Sequence, residues 1–77
     1  MDDRNILGHI QELVDEEHHL LELAAGDAAA RQRLHSVETQ LDQCWDLLRQ
    51  RRGKRHAGAD PDEARVRDAP TVERYQQ

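Results

Sequence analysis

Apolar residues recur along the first third of the chain with the three-and-four rhythm of one helix face: Ile6, Ile10, Leu13, then Glu17 in the next place, Leu20 and Ala24. A second file, Leu7, Val14 and Leu21, steps by seven beside the first. In heptad terms these are a, d and e positions, a face wide enough for a bundle rather than a narrow two-stranded seam. Asp2 or Asp3 can cap the start, and Gly26 can end the helix in a left-handed conformation. The pattern predicts a helix over residues 3–25.

Asp27 is the natural cap of a second helix, predicted over residues 28–52. Its seam alternates three and four without error: Ala30, Leu34, Val37, Leu41, Cys44, Leu48. Gly53 marks the expected end. So short a connection forces the two helices antiparallel. Aligning residues whose numbers sum to 54 pairs Ala24 with Ala30, Leu20 with Leu34, Leu13 with Leu41, Ile10 with Cys44 and Ile6 with Leu48. The same alignment sets Asp2 and Asp3 beside Arg52 and Arg51, so an apolar and an ionic pattern agree on one register.

The chain after residue 56 reads differently. "HAGADPDEARVRDAP" is rich in Gly, Ala, Asp and Pro, a loop composition. Within it Asp60-Pro61-Asp62-Glu63 offers a cap, a proline at the first helical position and an acid at the third, so a helical turn is expected over 61–67. Val66, Val72 and Tyr75 are the large apolar residues available to dock this extension on the hairpin, near Trp45; a disordered tail is the equal alternative for this composition. The fold class is therefore all-α: a two-helix antiparallel hairpin over residues 1–56 and a C-terminal extension over 57–77.

Composition makes that hairpin short of core. Apolar residues are 36% of the 77, Phe is absent, and Trp45 and Tyr75 are the only aromatics. A chain this small buries about 60% of its unfolded surface, so it leans on a partner or a staple. Cys44, the single cysteine, permits no disulfide within the chain and suits a reducing compartment. No basic segment followed by an apolar run opens the sequence, and no apolar run approaches membrane-spanning length, so a soluble cytoplasmic protein without membrane contact is expected. The e-position residues Leu7, Val14, Leu21 and Trp45 would stay half covered on a lone hairpin. Such a stripe marks an interface, and two hairpins joined through it make a homodimeric four-helix bundle.

The net charge of −5 conceals a pattern. Residues 1–48 carry eleven acids against three bases, residues 49–56 carry five bases and no acid, and the remainder carries five acids and three bases. The basic run Arg49, Arg51, Arg52, Lys54 and Arg55 is the one feature that could contact nucleic acid. An acidic chain with no aromatic inside that run disfavours it, and a helix C-terminus facing acids accounts for it.

Candidate chemistry centres on "DEEHHLLEL", residues 15–23. His18, His19 and Glu22 are the residues a metal- or ligand-binding bundle would use. Adjacent histidines, however, point about 100° apart on a helix, and Glu16–His19 has no matching Glu-x-x-His unit on the second helix. A solvated face is expected, with no metal and no cofactor. Glu17 occupies a seam position where a carboxylate is costly unless it reaches water or bonds Gln40 or His18. Cys44 reads as a small buried apolar group, and no nucleophile is positioned beside a base. No catalytic residue emerges, and an enzyme is not expected. A structural or protein-interaction module, with a homodimer and a protein partner of unknown identity, is the functional expectation.

"LDQCWDLLRQRR" at 41–52, "DPDEARVR" at 60–67, the terminal "YQQ" and the N-terminal "ILGHIQELVDEEHHL" together resemble a family of small actinobacterial proteins grouped as a domain of unknown function. The resemblance covers nearly the whole chain. It implies a stand-alone helical cytoplasmic protein and brings no activity or functional residues with it. The turn "AAGDAAA" carries less charge than that family leads one to expect.

Overall fold

A computed structural model describes the backbone of residues 2–76 and the side chains as far as Val72. Helix α1 spans Asp3–Leu23, a 3-10 turn follows at Ala24–Gly26, and helix α2 runs from Ala28 to His56. A second 3-10 turn at Pro61–Glu63 leads through an extended stretch to helix α3, Ala69–Gln76. The described residues contain no strand. The molecule measures 49 × 25 × 15 Å, so it is little more than one helix thick.

Both expected caps form. Asp2 accepts a hydrogen bond from the Asn5 amide at 2.8 Å, and Asp27 accepts from the amides of Ala29 and Ala30 at 2.9 and 3.3 Å. Ile6, Ile10, Leu13, Leu20, Ala30, Val37, Leu41 and Leu47 form one buried cluster, with Val14, Leu34, Cys44, Leu48 and Ala64 packed against it. Asp3 bonds Arg51 across the hairpin, one of the ionic pairs the alignment requires. The expected Asp2–Arg52 pair does not form, because Asp2 is committed to its cap while Asp3 takes both Arg51 and Arg55.

Several boundaries differ from the sequence reading. Gly26 does not adopt a left-handed conformation; the 3-10 turn followed by extended Asp27 (φ −143°) reverses the chain without one. Gly53 does not end α2, which continues four residues beyond 52. The left-handed position is Gly58, at φ 77°. There Ala59 donates to the Lys54 carbonyl at 2.7 Å and Gly58 to the Arg55 carbonyl at 3.1 Å, the paired bonds of a Schellman cap, whose backbone conformation favours glycine. An exposed glycine inside a helix costs about 1 kcal/mol. The ion pairs that Arg51, Lys54 and Arg55 make on either side of Gly53 offset it.

The turn expected over 61–67 closes after Glu63. Asp60 caps it through the Asp62 amide at 2.9 Å, but residues 64–68 carry no regular secondary structure, and the helix α3 that follows is not expected from the pattern. Its fully buried residue is Val72, at 0% exposure. While α3 packs on α2, the stretch 61–67 is held away from Trp45. Its anchors are Gln43, Asp46, Gln50, Arg51 and Lys54, a strip on the other side of α2, and Val66 stays exposed. The Tyr75 side chain lies outside the described residues. This strap also rotates the buried face of α2. Leu47 is more deeply buried than its seam neighbour Leu48, and Asp46 and Arg51 join it inside. Glu17 is half-buried, and no buried side-chain polar atom among the described residues lacks a partner. Gln40 bonds Ser36 rather than Glu17.

Candidate functional site

The basic run does not form one surface. Arg51 is buried, its Nε donating to Asp3 at 2.5 Å and its Nη1 to Asp62 at 2.8 Å and to the Pro61 carbonyl at 3.3 Å. Arg55 adds a second bond to Asp3, and Lys54 lies 3.8 Å from Glu63. These three residues clamp the start of α1, the end of α2 and the strap together. The Arg55 and Arg51 guanidinium groups hold the Asp3 carboxyl below its ordinary value, and Arg51 does the same to Asp62. Arg52 remains outward on this stretch, and the exposed Arg49 reaches back to within 3.8 Å of Asp46.

A second polar centre was not foreseen. Asp46 is 1% exposed, yet its carboxylate is satisfied: Arg67 binds it with both Nε and Nη2, at 2.8 and 2.5 Å, and Gln50 donates at 2.9 Å. Hydrogen bonding to Arg67, with help from Gln50, lowers its pKa in spite of burial. Gln50 and Gln43 also donate to the carbonyls of Arg65 and Arg67, which ties the strap to α2 there. The two stretches that looked distinctive, 41–52 and 60–67, are thus the two halves of one lock. The Asp46–Gln50 spacing of four and the arginines alternating in an acidic tail were the available signals.

Acid should open this lock. Asp46, Asp3, Asp62 and Glu16 all have pKa values lowered by arginine partners. A lowered carboxylate pKa gives stability that is present above the unfolded value and lost as pH falls through the folded one. Circular dichroism melts are expected to give a flat melting temperature above about pH 5 and a progressive fall below about pH 4. A melting temperature unchanged down to about pH 3 would contradict the ionic lock.

Among the described side chains, the strap covers one broad face of the hairpin and not the other. On the covered face Glu16 pairs with Arg33, and Asn5 and His9 look across to Gln40, Gln43 and the strap residue Val66. Leu7, Val14 and Leu21 lie about 160° round α1 from those positions, and Trp45 lies well away from the strap anchors on α2. They therefore share the uncovered face. Leu7 is 49% exposed, Leu21 56% and Trp45 46%, while Val14 is half-buried. Arg49 and Arg52, four and seven residues beyond Trp45, extend its strip toward the end of α2.

His18, His19 and Glu22 are all exposed, and among the described residues no three His, Cys, Asp or Glu side chains converge as a metal cage. Cys44 is half-buried and packed against the core, and burial raises its thiol pKa, away from the nucleophilic thiolate. No helix among the described residues is long and apolar enough to cross a membrane.

Comparison with known proteins adds a family and no chemistry. A family model described as "Protein of unknown function (DUF2630)" matches residues 2–77. The Mycobacterium bovis protein Mb0922c and the Mycobacterium tuberculosis protein Rv0898c, both described as uncharacterized, are each 49% identical over 77 residues, covering 95% of this chain and 88% of theirs. No solved structure matches.

Proposed function

The chain belongs to the DUF2630 family of proteins of unknown function, and from that premise we propose that it is a structural and protein-interaction module of the cytoplasm, not an enzyme. Its working surface is the uncovered face, where Leu7, Val14, Leu21 and Trp45 meet a second copy to build a four-helix bundle. The observation that supports this most is the exposure of Leu7, Leu21 and Trp45 on the face away from the strap. Large apolar residues gathered on one side of so thin a molecule are a surface in want of a partner. Tryptophan and arginine are also the residues that interfaces favour, and Arg49 and Arg52 continue the Trp45 strip. The strap contributes indirectly, by occupying the opposite side of α2 and leaving the Trp45 side for assembly.

Light scattering tests the reading. The wild-type chain is expected to have the mass of two copies, and Trp45→Glu the mass of one, with helical content retained because Trp45 is not part of the buried cluster. A wild-type mass of one copy at about 100 μM excludes the dimer. A Trp45→Glu protein that stays dimeric moves the interface elsewhere.

A further inference from the structure

We propose that the cleft on the strap side of the hairpin is a binding site for a small, uncharged, mainly apolar molecule that carries a hydrogen-bond donor. The cleft has a volume of about 300 Å³ and lies between α1, α2 and the strap, away from the face assigned above to assembly. That volume is at the lower end of the range for small-ligand sites, about 300–1,000 Å³. Ile6, Leu47 and Cys44 supply apolar wall, and Val66 stands at one side.

Three separate observations converge here. The first is Val66 itself. At 61% it is the most exposed of the large apolar side chains among the described residues, and it stands at the edge of this cleft. A ligand would cover it. The second is the polar rim, made of Asn5, His9, Gln40 and Gln43. It contains no arginine, lysine or carboxylate, although more than a third of the chain's residues are charged. A rim of amides and one imidazole does not compensate a charged ligand removed from water, but it suits a neutral one.

The third observation is the direction of the rim's hydrogen bonds. The Gln40 amide nitrogen donates to Ser36 Oγ at 3.2 Å and the Gln43 amide nitrogen to the Arg67 carbonyl at 3.2 Å. Both carboxamide oxygens are left without a donor among the described residues, and neither is buried. The rim therefore offers two open carboxamide acceptors beside the second N–H of each amide, and a donor on the ligand meets those acceptors. Since Gln43 is also a strap anchor, occupancy would steady the strap at residues 66 and 67.

Indole, a neutral ring system with one N–H donor, is a suitable probe. Titrated into the isotope-labelled full chain, it is expected to give saturable one-to-one shifts of the Gln40 and Gln43 side-chain amides and the Cys44 and Val66 backbone amides. Val66→Asp, which removes exposed apolar wall and brings a charge to the rim, is expected to bind about tenfold more weakly. Gln40→Leu, which keeps the wall but removes an acceptor, is expected to weaken binding by a similar factor. Leu23→Ser, beside the turn at the far end of the hairpin, should leave binding unchanged. Shifts that grow linearly to the solubility limit of indole would overturn the proposal. So would shifts gathered around Leu7, Leu21 and Trp45.

Discussion

Replacing Asp46 with alanine is expected to destabilise the protein by about 3 kcal/mol, a fall of roughly 12–24 °C in melting temperature for a domain of this size. Asp46 is almost fully buried, and its carboxylate gathers two bonds from Arg67 and one from Gln50. Removing it takes an acceptor from Gln50 and the buried carboxylate from the Arg67 guanidinium. Losing one partner of a buried pair costs more than the pair itself contributes. Arg67 retains some exposure and can partly rehydrate, which keeps the estimate at the lower end for such pairs. Asp46→Asn keeps shape and one acceptor but loses charge assistance, so about half the effect is expected. Limited trypsin digestion supplies an independent reading. Cleavage after Arg65 and Arg67 should accelerate in Asp46→Ala, because the strap loses its main anchor while the hairpin keeps its cluster. A melting temperature within about 2 °C of wild type would mean that the strap does not depend on this lock.

Leu13→Ala is expected to be comparably severe, at about 2–5 kcal/mol. Leu13 is 3% exposed, near the middle of the buried face of α1. The cluster of eight buried apolar side chains among the described residues has little redundancy, and a slab one helix thick cannot collapse around a void. A small domain of this length has a total stability of only about 4–12 kcal/mol. The variant is therefore expected to populate the unfolded state measurably at room temperature, read by urea denaturation followed through helical circular dichroism. Leu23→Ser, at 46% exposure beside the turn, is the matched control and should cost less than about 0.5 kcal/mol. Equal effects from the two substitutions would rule out the present division between core and surface.

Which features could be read in advance follows from how far apart the cooperating residues lie. Asp27 is recognisable as a cap because the amides it satisfies, Ala29 and Ala30, are two and three residues away. The Asp3–Arg51 pair was accessible only because the apolar register had already brought those positions together. Asp46 and Arg67 are separated by 21 residues and linked by no repeating pattern, so a buried carboxylate looked like surface. Gly53 and Gly58 show the same limit. Each is a plausible stop, and the side chains around Gly53 decided the matter by finding acids on α1 and on the strap. Helix α3 is too short to announce itself by periodicity, although Asp68-Ala69-Pro70 resembles a helix start.

For the candidate surfaces the division is similar. Leu7, Val14, Leu21 and Trp45 were recognisable as one stripe from spacing alone. That the stripe stays open depends on the strap crossing the other side of α2. The cleft beside Val66 was invisible beforehand, since it exists only where residues 5–9, 40–47 and 66 come together. Sequence by itself determined the two long helices, their caps, their antiparallel register and the eventual apolar faces. Those depend on repeats and contacts within a few turns of one chain segment. Only the tertiary structure decided the path of the strap, the burial of Asp46 and Arg51, the end of α2 and the choice of which face is covered. Each of these rests on ionic partners that the chain's route brings together, and opposite charges carry no periodicity that names their mates in advance.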